Sequence, residues 1–109
     1  EAIMRKNGGT ANQEAVNLIN ESKKRSFAAA DWSANQYSTA TLTLDELLAE
    51  RGREFIFEGK RRTDLIRFGK YTTGTWCDHK ATNDVNKELF PIPQQHMAIN
   101  PNLKQNPGY

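Results

Sequence analysis

The stretch ELFPIPQQHMAINPNLKQNPGY, residues 88–109, contains all four prolines of the 109-residue chain. A residue before proline is pushed out of the helical region, so Leu89 and Phe90 are predicted to be extended. Pro93 suits the first turn of a short helix, and the later prolines favour an extended path with little entropy to lose. We therefore predict a strap whose apolar residues pack on a helical body.

The region before this segment, residues 43–69, has the strongest helix signals in the chain. Thr43 and Glu46 have the spacing of a capping box, and Gly59 is predicted to end the helix that they begin. A shorter helix, TDLIRF, then stops at Gly69. The predicted apolar contacts of the longer helix are Leu44, Leu47, Leu48, Phe55, Ile56 and Phe57.

The N-terminal part, residues 1–25, is predicted to be a helical hairpin. Its first residues read as the last turns of a helix that stops at an Asn-Gly-Gly sequence, and Thr10 with Gln13 has capping-box spacing for the next helix. Residues 26–42 are predicted to be a loop, and residues 70–109 an irregular segment ending in the strap. The fold class is therefore mainly α, with tetratricopeptide-like helical hairpins and a long, Pro-rich C-terminal segment.

Composition excludes several classes of function. The net charge of +2, with both signs mixed, is too small to predict a nucleic-acid partner. Cys77 is the only cysteine, which excludes an internal disulfide, and its neighbours Asp78 and His79 are too few for a metal site. No apolar run is long enough to cross a bilayer. We predict no metal, no cofactor and no catalytic residue.

Glu46, Glu50, Glu54 and Glu58 recur every four residues and would form an acidic column along the main helix. One interpretation is a carboxylate site for glycoside hydrolysis, which needs two carboxylates across a cleft. The other, which we favour, is a network of ion pairs with the many nearby arginines and lysines.

Four aromatic residues in the predicted loops are candidates for stacking on sugar rings. They are Trp32, Tyr37, Tyr71 and Trp76. Aromatic faces on loops bind the apolar faces of ligands, and the alternative is that they cover the core.

Three stretches together resemble one family. LLAERGREFIFEGKRRTDLIRFGKY resembles its E-R-x-R-E, F-E-G-x-R and D-L-x-R-W/F-G pattern, the final 22 residues resemble its L-F-P-I-P…N-P-N-L-x-Q-N-P-G-Y ending, and NGGTANQEAVNLINESKKR is similar to its helical hairpin. The family is SusD/RagB, and the match is to its C-terminal portion. Gly52, Phe68 and the His96-Met97 pair depart from the usual pattern.

The resemblance implies a SusD-like fold and a non-catalytic function. Such proteins are cell-surface lipoproteins of the outer membrane, which bind oligo- or polysaccharides, or in some members peptides. Their partner is a SusC-like TonB-dependent transporter, and their membrane contact is an N-terminal lipid anchor that this chain does not contain. A helical-repeat module that binds protein or peptide is the alternative, and a hydrolase that uses the glutamate column is a further one.

The matched motifs carry a structural role in this family, so no ligand-binding residue transfers from it. We assign five charged residues to scaffold ion pairs and five apolar residues to anchoring the tail on the helices. The first set is Arg53, Glu58, Arg62, Asp64 and Arg67, and the second is Leu89, Phe90, Pro91, Ile92 and Pro93. Gly59, Asn100 and Pro101 complete the structural residues.

Overall fold

The computed structural model describes all 109 residues, and it contains six α-helices and no β-strand. The mainly α class is therefore confirmed. None of the helices has the length and apolarity needed to span a membrane. The helices are α1 Ala2–Lys6, α2 Gln13–Lys24, α3 Trp32–Asn35, α4 Leu44–Glu54, α5 Arg61–Arg67 and α6 Gln94–Ile99, with a 3₁₀ helix at Val85–Glu88.

The chain forms two compact units, residues 1–58 and residues 59–109. In the first unit, α1 and α2 are in contact, and α1, α2 and α4 all supply buried side chains. The core of this unit consists of Met4, Ala15, Val16, Tyr37, Leu42, Leu47 and Leu48.

The start of α2 differs from the prediction. Asn12, not Thr10, is the N-cap, and its side-chain oxygen accepts a hydrogen bond from the backbone N–H of Ala15 at 2.9 Å. The Thr10 hydroxyl donates instead to the carbonyl of Asn7 at 2.7 Å and closes the turn after α1. The predicted capping box at Thr10 and Gln13 is therefore wrong, because asparagine caps a helix as well as threonine does.

One of the two hydrogen bonds of the capping box predicted at the start of α4 is present. The Thr43 hydroxyl accepts from the backbone N–H of Glu46 at 3.1 Å, as an N-cap should. The reciprocal bond is missing, because the N–H of Thr43 donates to the carbonyl of Thr41. The carboxylate of Glu46 is turned instead toward the hydroxyl of Tyr37, at 3.3 Å.

α4 ends at Glu54, with Phe55 as its C-cap, and so stops before the predicted glycine stop at Gly59. Ile56 is 64% exposed and Phe57 is 100% exposed, so the packing predicted for these two side chains is wrong. Successive residues of a helix are about 100° apart, so three large apolar residues in a row cannot all face one core. The chain leaves the helix here, and Phe57 takes a left-handed conformation with φ of 65°.

The second unit is built on α5, which buries Asp64 and Leu65. Its predicted stop at Gly69 is confirmed. Gly69 has a φ of 67°, its N–H donates to the carbonyl of Ile66 at 2.9 Å, and the N–H of Lys70 donates to Leu65 at 2.8 Å. These two bonds and the left-handed glycine form a Schellman motif.

The C-terminal segment is held by polar side chains rather than by apolar packing. The Gln105 amide binds both the N–H and the carbonyl of Ile92, at 2.8 and 2.9 Å. Asn106 donates to the carbonyl of Phe90 at 2.7 Å, and the Tyr109 hydroxyl donates to Leu89 at 2.9 Å. Leu89 and Phe90 are themselves exposed, contrary to the apolar contacts expected of them.

Candidate ligand-binding cleft

The four aromatic candidates lie in different units of the structure. Trp32 and Tyr37 belong to the first unit, and Tyr71 and Trp76 belong to the second. Tyr37 lines an open cavity of about 550 Å³, which we call the α2–α4 cleft, and Trp32 lies next to Phe27, another of its lining residues. The residues that line the α2–α4 cleft are Lys23, Ser26, Phe27, Ala34, Asn35, Tyr37, Glu46, Glu50, Arg53 and Glu54.

Helical spacing explains why the cleft is rich in carboxylates. Glu46, Glu50 and Glu54 lie four residues apart on α4, so their side chains share one face of the helix. All three line the cleft. Glu58, the fourth member of the predicted column, lies beyond the end of α4 and outside the cleft.

Tyr37 is fixed in the cleft by a clamp from α2. The side chain of Asn20 donates to the carbonyl of Tyr37 at 2.8 Å, and its oxygen accepts from the N–H of the same residue at 2.8 Å. Only 9% of Tyr37 is exposed. These two bonds satisfy both the N–H and the carbonyl of Tyr37, as pairing with a neighbouring β-strand would. They also hold the phenol ring against α4.

The Tyr37 hydroxyl lies at the centre of a charged network. It is 3.0 Å from Oε2 of Glu50, and it accepts a hydrogen bond from Nη2 of Arg53 at 3.1 Å. The same Nη2 is 2.6 Å from Glu50 Oε2. Lys23 completes the network, with Nζ 3.8 Å from that carboxylate and 3.9 Å from the centre of the Tyr37 ring.

The network shifts the ionisation of its members. Burial, together with the hydrogen bond to Glu50, raises the pKa of Tyr37 to about 12. Burial opposes the ionisation of Glu50, but hydrogen bonds from Arg53 and Tyr37 outweigh it and hold the pKa of its carboxyl below the usual value. The bond to Glu50 also raises the pKa of Arg53. At neutral pH, Glu50 is thus an ionised partner of two cations and not a proton donor.

The mouth of the cleft combines an ion pair with an aromatic corner. Arg25 pairs with Glu54 across the space between α2 and α4. The ring of Phe27 lies 6.3 Å from that of Trp32, with the two planes tilted by 51°. Lys23 lies 5.7 Å above the same phenylalanine ring. Trp32 therefore borders the cleft through Phe27, and both rings are half-buried.

In the second unit, the two aromatic candidates form a stack with His79. The rings of Trp76 and His79 are 4.0 Å apart and nearly parallel, and Nε2 of His79 lies 3.2 Å from the carbonyl of Tyr71. Arg62 lies over the Tyr71 ring at 5.0 Å and over the Phe90 ring at 4.0 Å. One face of each of the two aromatic candidates is thus occupied by a neighbouring side chain.

The charged residues assigned to scaffold ion pairs differ in the partners that they contact. Arg53 pairs with Glu50, and the buried Asp64 pairs with Arg67 at 2.8 Å. Arg62 instead donates to the carbonyls of residues 87 and 88, at 3.4 and 2.9 Å. Their structural role stays a prediction.

Several residues of the cleft were not found from the sequence. Asn20, Lys23 and Phe27 position or border the site, yet none belongs to a recognised motif. Phe27 lies three residues beyond the end of α2, so helical spacing does not relate it to Lys23. No group of three His, Cys, Asp or Glu side chains is arranged to hold a metal ion.

These features define a mainly α-helical protein with a polar surface cleft that has an aromatic corner. A sequence model of the SusD family matches residues 1–109, and the chain belongs to this family. The chain is 37% identical, over 116 aligned positions, to the starch-binding protein SusD of Bacteroides thetaiotaomicron. This alignment includes 100% of the chain and 19% of the relative, so the chain spans about a fifth of that protein's length.

Proposed function

We propose that this chain serves glycan binding in nutrient uptake, without bond cleavage. The observation that carries the proposal is the match to the SusD family along residues 1–109, together with the 37% identity to a starch-binding protein. The chemistry of the α2–α4 cleft agrees with this proposal. A saccharide offers hydroxyl groups that both donate and accept, and the cleft presents carboxylates, an amide and cations beside an aromatic corner.

The proposed mechanism is capture and transfer. A sugar ring lies against Phe27 and Trp32, while its hydroxyl groups reach the polar side chains of α4. Apolar faces of sugar rings pack well on aromatic rings, and hydrogen bonds fix their orientation. Glu50 does not serve as a proton donor, because Arg53 and Lys23 keep it ionised.

The proposal extends to location and partner through the family. The protein would act at the outer membrane as a cell-surface lipoprotein, and a SusC-like TonB-dependent transporter would receive the glycan. Both extensions rest on the family resemblance. Co-purification of the transporter with the tagged protein, from outer membranes of the source organism, is the expected result.

Affinity electrophoresis tests glycan binding directly. The chain is run through native gels that contain amylopectin, pullulan, levan, xylan or chitin oligosaccharides, and retardation by at least one of them is expected. Phe27→Ala should reduce the retardation, whereas Ile99→Ala, an exposed residue of the second unit, should not. Absence of retardation by every glycan would contradict the proposal, and binding of peptides alone would favour the peptide-binding alternative.

A further inference from the structure

We infer that Arg53 has a second role in the α2–α4 cleft, in which its free terminal nitrogen, Nη1, donates hydrogen bonds to an oxygen atom of the bound glycan. The inference rests on the proposed function, because it concerns the same cleft. It goes further by naming a side chain that determines specificity and the kind of atom that this side chain recognises.

The guanidinium of Arg53 is held by hydrogen bonds that leave one of its nitrogens free. Nε and Nη2 both donate to Oε2 of Glu50, at 3.2 and 2.6 Å, and Nη2 also donates to the Tyr37 hydroxyl at 3.1 Å. Nη1 forms no hydrogen bond within the chain. A guanidinium carries donors on all of its nitrogens and has no acceptor, so both N–H groups of Nη1 remain for a ligand.

Arg53 is also the accessible cation of the cleft. Its side chain is 56% exposed, whereas the side chain of Lys23, the other cation that lines the cleft, is 12% exposed. Arg25 is not a lining residue, and its guanidinium pairs with Glu54 at the mouth. A ligand within the cleft therefore finds its exposed charged donor at Arg53.

The contacts with Glu50 and Tyr37 prepare Arg53 for binding. They fix the plane of the guanidinium, so less side-chain entropy is lost when a ligand engages Nη1. Hydrogen bonds from an ionised donor are stronger than those between neutral groups. Because Glu50 already balances the charge of Arg53, the acceptor does not have to be an anion, and a hydroxyl or ring oxygen of a neutral sugar is sufficient.

Side-chain NMR tests whether Nη1 contacts a glycan. The chain, with isotope-labelled arginine, is titrated with neutral oligosaccharides of amylopectin, pullulan, levan, xylan and chitin. With an oligosaccharide that binds, the Nη1 signals of Arg53 should shift, and rotation about its Cζ–Nη1 bond should slow, because a bound acceptor restrains it. The signals of Arg61, an exposed residue outside the cleft, should not change. Signals that are missing from Arg53→Lys identify those of Arg53.

Arg53→Lys also separates the contact with the glycan from the ion pair with Glu50. A lysine keeps a cation beside Glu50, but it lacks the planar fork that holds Nη1 in place. We expect glycan binding to weaken by about tenfold, which corresponds to the loss of one hydrogen bond from a charged group. Arg61→Lys is the matched control and should bind as the unsubstituted chain does. Circular dichroism establishes that each variant keeps its helices.

The possible outcomes are distinct. An oligosaccharide that binds and leaves the Arg53 signals unchanged would overturn the inference and leave the proposed function standing. Equal binding by Arg53→Lys and the unsubstituted chain would do the same, as would a loss that Arg61→Lys shares. If Arg53→Lys does not fold, the NMR titration of the unsubstituted chain decides alone. Failure of all these oligosaccharides to bind would overturn the proposed function, and the inference with it.

Discussion

The hydroxyl of Tyr37 and the carboxylate of Glu50 lie 3.0 Å apart, and this contact joins a loop to the main helix of the first unit. The phenol is buried, the carboxylate is ionised, and Arg53 donates to both. A buried charge is tolerated only when its hydrogen bonds are satisfied. The position of the loop at the cleft therefore depends on this pair.

Replacing Tyr37 with Phe removes one hydrogen bond from the Glu50 carboxylate and keeps the ring. We expect the free energy of unfolding at pH 7 to fall by about 1–2 kcal/mol, which is the usual cost of leaving a buried acceptor less well satisfied. Urea denaturation followed by circular dichroism measures this change. Tyr71→Phe is the control, because the structure records no hydrogen bond of the Tyr71 hydroxyl, and an equal loss there would contradict the assignment.

The stability of Tyr37→Phe should also depend less on pH in the alkaline range than that of the unsubstituted chain. The pKa of Tyr37 is about 12 in the folded chain against 10.0 ordinarily, so the folded state keeps its proton when the unfolded state has lost it. The stability linked to Tyr37 is thus complete below pH 10 and is lost as the pH rises toward 12. Between these limits, the stability of the unsubstituted chain should fall more steeply than that of Tyr37→Phe. Parallel curves would contradict the raised pKa.

Glu50→Gln tests the acid side of the network and the hydrolase alternative together. The pKa of Glu50 lies below its ordinary 4.5, so its contribution is present above pH 4.5 and is lost as the pH falls through the lowered value. The variant should be less stable at pH 7 by about 1–3 kcal/mol and should lack this step on acidification. Glu21→Gln, at an exposed position of α2, should be neutral. Turnover of a polysaccharide that Glu50→Gln abolishes would instead favour the hydrolase.

Local sequence rules predicted much of the fold and little of the cleft. The stop at Gly69 and the cap at Thr43 depend on residues within a few positions, so spacing alone finds them. The orientation of Glu46 does not follow from spacing, because the capping box and the Tyr37 hydroxyl compete for the same carboxylate. Tertiary contact decides that competition.

The contact that places Tyr37 is equally hidden from local rules. Asn20 lies 17 residues earlier in the chain, and it binds the backbone of Tyr37 with its side chain. An asparagine within a helix has no pattern that reveals such a partner. Loop aromatics could therefore be proposed as candidates, but neither the cleft nor its charge balance could be derived before α2 and α4 were placed.

Phe57 offers a test of backbone strain. It has a φ of 65° and a fully exposed side chain, so its phenyl ring makes no packing contribution that offsets the left-handed conformation. Phe57→Gly should raise the midpoint of thermal unfolding by about 4 °C, after allowing for the greater entropy of glycine in the unfolded chain. Ile56→Gly is the matched control, because its φ is not positive, and it should lower the midpoint. A lower midpoint for both variants would contradict the strain at Phe57.

Gln105 fastens the C-terminal segment, and its removal should loosen that segment selectively. Its amide binds the N–H and the carbonyl of Ile92, so Gln105→Ala leaves both groups to water. Hydrogen exchange followed by NMR should show the Ile92 amide exchanging faster by about tenfold, since two hydrogen bonds of ordinary strength are lost and local opening becomes easier.

Gln105→Glu separates the two bonds, because a carboxylate can accept from the Ile92 N–H and cannot donate to its carbonyl. Exchange at Ile92 should then be intermediate. Gln95→Ala, at an exposed position of α6, should leave it unchanged. Uniformly faster exchange along the whole chain would mean that Gln105 stabilises the fold globally and does not act as a local fastening of the tail.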